Sequence, residues 1–175
     1  PSHKRECRRI VREKKKLLDA AAAAYAADEA RAADACRPNI PEGAECYICK
    51  NDKYWKGDLV RDCSCRGPHA GFAHVRCLVA MAESKGPGVQ ADDDSEYINT
   101  THTCGQCQQK FGGQVWLALC RAAWLHFAGR AETDRWRLAA SQNLGVALSN
   151  MDRNDEALFG IDGDAQVVVV LDDQP

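Results

Sequence analysis

Aromatic side chains are scarce in this chain, 7% of 175 residues, and much of its 45% hydrophobic content is alanine and cysteine. One large apolar core is therefore not expected. Small units held by something other than apolar burial are, and metal is the usual substitute in very small folds. Long hydrophobic runs are also lacking. No stretch reaches the ~18 apolar residues that a membrane span requires, so no membrane partner is expected. The basic first 16 residues are followed by LLDAAAAAYAADEARAADA, too polar for the centre of a signal peptide. Neither sign of charge dominates, since the net charge is −2, and the whole chain is no electrostatic magnet for nucleic acid. The expectation is an intracellular location, cytoplasmic or nuclear.

Cysteine is what the chain has in excess: ten residues. In a reducing compartment clustered thiols point to metal and not to disulfides. Eight candidate ligands fall in four pairs: Cys46-x-x-Cys49, Cys63-x-Cys65, His74-x-x-Cys77 and Cys104-x-x-Cys107. Zinc prefers four tetrahedral sulfur or imidazole ligands, and a structural site leaves no coordination position open. A two-residue spacer lets both thiolates of one knuckle reach the same ion, leaving backbone amides to support the sulfurs. Four pairs make two complete tetrahedra and predict two Zn2+. The spacing alone leaves open which pairs share an ion. Cys7, Cys36 and Cys120 are isolated and read as core or surface thiols. His69 and His102 lack correctly spaced partners and read as exposed residues or as supports outside the coordination sphere.

The ligand order, with C-x-C in second place, resembles the RING-CH (RINGv) variant of the RING family. The likeness covers the 62 residues from Cys46 to Cys107 and extends beyond the ligands. Cys63-Ser64-Cys65-Arg66-Gly67 is similar to that family's C-x-C-x-G stretch. Phe72-Ala73-His74-Val75-Arg76-Cys77-Leu78 resembles its aromatic-x-His-x-x-Cys-Leu stretch, and Cys107-Gln108-Gln109-Lys110-Phe111 its closing segment. A PHD finger shares the ligand order. It differs in having C-x-x-C at the second pair, a shorter step to the histidine, and a tryptophan where this chain has His102.

The resemblance implies interleaved sites: Cys46, Cys49, His74 and Cys77 on the first zinc, and Cys63, Cys65, Cys104 and Cys107 on the second. It also implies a role. RING-type domains bind a ubiquitin-conjugating enzyme and hold its thioester in a reactive arrangement, supplying no nucleophile themselves. Ile48, inside the first knuckle, and Met81, four residues after Cys77, correspond to the contact surface for that enzyme. Lys110 corresponds to the cation that contacts ubiquitin. The family usually has tryptophan at the Met81 position and proline at the Gly105 position. A catalytically inactive interaction scaffold is the alternative.

Around this block, residues 1–36 form a basic, alanine-rich segment without Gly or Pro between residues 3 and 36, which predicts one long helix. Its basic cluster runs from Lys4 to Lys16 and is followed by Asp19, Asp28, Glu29 and Asp34; a solvated helix face is expected, with nucleic acid an unlikely partner. Residues 37–45 read as a linker and 46–111 as the two-zinc domain, interrupted by the polar loop KGPGVQADDDSEYINT. The Asp92-Asp93-Asp94 triplet in it reads as a solubilising insertion. From Gln114 an apolar periodicity predicts a helix, with Trp124 off its face. Gly129 and Arg130 break it, and a second helix is expected from about Glu132 to Asn150.

The stretch WRLAASQNLGVALSNMDRNDEALFGI resembles a tetratricopeptide repeat, with Leu144-Gly145, Leu148 and Ala157 on its packing positions, Phe159 one residue before another, and Ser141 where that family has tryptophan. Residues 114–162 are thus expected to be a helical hairpin that recruits a protein substrate, and 163–175 a tail. The expected fold is a small zinc-bound α+β RING-like domain flanked by α-helices, with a long N-terminal helix and a C-terminal helical hairpin.

Overall fold

The computed structural model describes residues 2–51, 58–67, 70–85 and 93–155. His69, Asp92, Ala157, Phe159 and the tail after residue 162, each singled out by the sequence, lie outside the described residues.

A single helix, α1, runs from Ser2 to Cys36 over 35 residues. Alanine-rich composition with no interior Gly or Pro makes it continuous. It ends just before Pro38, which has no N–H to continue the i→i−4 ladder and whose ring crowds the preceding turn, and a 3-10 turn over Arg37–Asn39 follows. Two strands of two residues each, β1 (Leu59–Val60) and β2 (Ala73–His74), pair antiparallel with Leu59 opposite His74. Helices α2 (Val75–Glu83), α3 (Ser95–His102), α4 (Gly113–Phe127) and α5 (Arg135–Ser149) complete the order. Asp134 starts α5 by accepting from the backbone N–H groups of Trp136 and Arg137, each at 2.9 Å. This N-cap sets the helix start three residues later than Glu132, since the cap residue itself stays extended.

The packing divides into two apolar cores that share α4. The first gathers β1, β2, α2 and the ligand-bearing loops against the C-terminal end of α1 and against Val115, Ala118 and Leu119 of α4. The second gathers Leu117, Cys120, Ala123 and Phe127 of α4 with Tyr97 of α3 and with Leu144 and Leu148 of α5. Trp116 packs against both. Each large apolar side chain buried this way is worth ~1.5–3 kcal/mol. Among the described residues, the sheet of the first core is held by a two-residue ladder, far short of a self-supporting hairpin.

Two sequence expectations are corrected here. Trp124 does not lie off an apolar face: it is buried, as are residues all round α4 from Leu117 to Trp124. A helix covered on every side shows no one-sided periodicity, which is why the pattern looked imperfect. The polar stretch before Cys104 is not loop throughout, since α3 occupies its end and buries Tyr97 and Thr101 one turn apart. Asp94 is no solubilising residue. It is buried and paired at 2.7 Å with Arg130, just past α4, while Asp93 Oδ1 accepts from the Ser95 N–H.

The acids of α1 are also engaged. Asp28 is fully buried and takes Arg31 at 2.5 Å, Arg121 of α4 at 2.5 Å and Arg153, beyond α5, at 2.6 Å. Burial opposes ionisation there, but the three guanidinium groups together hold its carboxyl below the usual range. No helix among the described residues is long and apolar enough to cross a membrane.

Candidate metal centre

Both C-x-x-C segments fold into the same short loop. In the first, the Lys50 N–H donates to the Cys46 carbonyl at 2.8 Å and the Cys46 N–H to the Asn51 carbonyl at 2.9 Å. In the second, Gln108 donates to Cys104 at 2.9 Å and Cys104 to Gln109 at 2.8 Å. Each loop turns on a residue in the left-handed region, Lys50 at φ 61° and Gln108 at φ 60°. The turn points the amide of the next residue at the second cysteine. The Asn51 N–H donates to Cys49 and the Gln109 N–H to Cys107. Thiolate sulfurs accept such bonds, and the bonds orient them.

The remaining ligands come from the C-x-C segment after β1 and from the junction of β2 and α2. His74 closes β2 and caps α2, so Cys77, three residues on, shares its face of the first turn. The eight side chains form two groups, Cys46, Cys49, His74 and Cys77 in one, and Cys63, Cys65, Cys104 and Cys107 in the other, with donor atoms within 4.8 Å of one another in each. First and third pairs thus meet in one group, and second and fourth in the other. This is a RING-like interleaving.

The distances suit a tetrahedral ion. Zinc bonds of about 2.3 Å to sulfur and 2.0–2.1 Å to nitrogen put ligand sulfurs about 3.8 Å apart, and a sulfur and a nitrogen about 3.6 Å apart. Cys65 and Cys104 sulfurs lie 3.7 Å apart. His74 presents Nδ1, at 3.4 Å from the Cys49 sulfur and 3.6 Å from that of Cys77. The donors are soft thiolates and one imidazole, the set that selects zinc over oxygen-loving cations. Burial, reinforced by neighbouring sulfurs, pushes the Cys63 thiol up to about 11 and Cys77 up to about 12. At Cys107, the Gln109 amide draws the thiol down to about 7. A dication overrides the penalty at the buried thiols, because a coordinating thiol is deprotonated outright. Each group could hold one zinc ion, two in all, as structural sites with no coordination position left for chemistry.

The support around the ligands was not visible in the sequence. Gly71 has φ +79°, and a methyl group there would sit 2.6 Å from Cys65 Cβ and 3.0 Å from the Cys63 sulfur. Its N–H donates to Gln106 Oε1 at 2.9 Å, joining the loop before β2 to the last knuckle. Asp62, beside Cys63, accepts from the Gly112 N–H at the start of α4. The Tyr47 N–H donates to the Phe72 carbonyl at 2.8 Å. A lone glycine inside a loop carries no signal of these contacts.

Outside the two groups, Cys7 is exposed while Cys36 and Cys120 are buried. His102 packs edge-on against Trp116, with ring centroids 5.9 Å apart. Burial, aided by nearby Lys110, holds its pKa down. Ile48 and Met81 are half-buried against the first core. Lys110 is exposed and pairs through its backbone with Thr103. Comparisons with models of known protein families, with curated proteins and with solved structures find no match in any of the three.

Proposed function

We propose that this chain is a RING-CH type ubiquitin ligase: a zinc-stapled platform that docks a ubiquitin-conjugating enzyme and positions its thioester for transfer. The observation that carries the reading is the interleaving of the two ligand groups, since it brings the first and last knuckles to one side of α2. A methyl group on Gly105 would lie 3.7 Å from both Met81 Cε and Tyr47 Oη. The half-buried residues Tyr47, Ile48 and Met81 therefore supply an apolar surface beside the first and last knuckles, where the RING-CH resemblance puts the enzyme contact. Lys110, exposed after the last ligand, is the cation offered to ubiquitin. Residues 46–111 act as the ligase unit. The α5 segment and the residues after it, the tetratricopeptide-like stretch, serve as the substrate-recruiting end, for which exposed Leu138 and Val146 on α5 offer contact area.

Autoubiquitination with a panel of conjugating enzymes tests the proposal. Chain formation with at least one member is expected, and no chains with any of them while two zinc ions stay bound refutes it. A second reading, an interaction scaffold without ligase activity, is favoured by methionine and glycine at the positions where the family carries tryptophan and proline. Met81→Trp separates the two: gain of affinity for a conjugating enzyme points to a weakened ligase, and no binding by either form to a scaffold.

A further inference from the structure

Residues 3–17 of α1 are exposed on every side, so about 22 Å of helix projects beyond the body of the protein. This segment carries eight lysines and arginines against two glutamates. In the sequence the later acids of α1 looked like compensation. The structure removes two of them from that role: Asp28 is buried among Arg31, Arg121 and Arg153, and Glu29 is paired with Arg76. Both also sit about 18 Å or more along the helix from Lys16, beyond a Debye length of about 8 Å. The acids that offset charge locally are Glu6, paired with Arg9, Asp19, paired with Lys15, and Glu13, which lies among the cations. Such exposed pairs exchange readily for another anion.

The cations are ordered around the helix. Arg5, Arg8, Arg9, Arg12 and Lys16 line one groove, with a single acid, Glu13, beside them; the five cations keep the i, i+3 and i+4 spacing of one face. The exposed apolar residues Ile10 and Val11 lie toward the side that, further along, enters the protein body through Ala32, Ala33 and Cys36. This ordering decides the partner. A bilayer would have to take up the apolar side, where the body of the protein obstructs a flat surface and the basic groove would point away from the headgroups. A rod-like polyanion can lie along the basic groove unobstructed. No Phe, Tyr or Trp is present between residues 3 and 17 to stack on single-stranded bases. A helix 10–12 Å across matches the major groove of B-form DNA, whereas that of A-form RNA is too narrow.

We propose that the projecting half of α1 is a docking surface for duplex DNA, gripping backbone phosphates through Arg5, Arg8, Arg12 and Lys16. Arginine suits this because its planar fork meets phosphate in a bidentate way. Binding is sequence-independent and salt-dependent, and it stands apart from any ligase activity.

Fluorescence anisotropy of a mixed-sequence 20-base-pair duplex with the full zinc-loaded chain tests it. The expected dissociation constant is about 1–100 μM, weakening steeply with salt. Replacing Arg5, Arg8, Arg12 and Lys16 together by Gln should weaken binding at least tenfold and reduce the log–log salt slope by about 3 to 4. Ile10→Ser with Val11→Ser should leave DNA binding unchanged, which guards against a variant that has merely lost its helix. No binding at low salt, unchanged affinity in the fourfold glutamine variant, loss with the serine pair, or tighter binding to phosphatidylserine vesicles than to the duplex would each overturn the proposal.

Discussion

Arg76 lies between two zinc-ligand candidates, His74 and Cys77, and its Nε donates to both carboxylate oxygens of Glu29, at 3.0 and 2.9 Å. The pair joins the C-terminal part of α1 to the first turn of α2, across 47 positions of sequence. The long helix is thereby part of the frame around the first ligand group.

Cutting this link should loosen the frame without dismantling it. Glu29 is nearly buried but Arg76 is half-exposed, so Glu29→Ala is expected to cost about 1–2 kcal/mol after allowing for solvent screening, a few degrees of Tm. Burial outweighs Arg76 and raises the Glu29 carboxyl, so the native site disfavours its charge. An uncharged acceptor should therefore serve nearly as well. Glu29→Gln is expected to melt closer to the native chain than Glu29→Ala, by differential scanning calorimetry.

Asp28 behaves in the opposite sense. Its folded-state pKa lies below the ordinary value, so its contribution is complete above an unfolded pKa of about 3.9 and fades as pH falls through the folded value. Asp28→Asn leaves Arg121 and Arg153 without their shared counter-charge and should cost about 3–5 kcal/mol. The gap in urea midpoint between native chain and variant should stay constant from pH 8 to pH 5 and narrow only below about pH 4. A gap that already closes near neutral pH would contradict this assignment.

Gly71→Ala should affect one metal more than the other. The new methyl group would collide with Cys65 Cβ at 2.6 Å on a backbone with positive φ, where an L side chain is strained. Native mass spectrometry should then show the two-zinc form giving way to one zinc, with the Cys46, Cys49, His74 and Cys77 group still filled. Equal loss of both ions would mean that the groups fold as one.

Ile48→Ala should abolish any ubiquitin transfer while preserving two zinc ions and the melting curve to within about 1–2 kcal/mol, since the side chain is only half-buried. Normal transfer by this variant would place the enzyme contact elsewhere.

How much of this was legible in advance follows from the range of each interaction. The knuckles are short-range patterns, so their ligands could be named from spacing. Their pairing could not, because Cys65 and Cys104 meet across 39 positions and only the family resemblance suggested it. The long first helix followed from alanine content and the absence of Gly and Pro. The burial of Asp28 was hidden because Arg121 and Arg153 lie 93 and 125 positions away. A charged residue on an alanine-rich helix looks solvated until its partners are known. Helix α3 was missed because Ser95–His102 is polar in composition and buries only Tyr97 and Thr101.

Helix α4 gives the ligand groups reach over the whole chain. Because it walls both cores, with Trp116 against each, a chain that loses its metal would uncover α4 as well as its knuckles. It would then present to chaperones and proteases an apolar surface that the loaded chain conceals. Zinc supply would in that way act as a quality-control gate on the abundance of the whole protein.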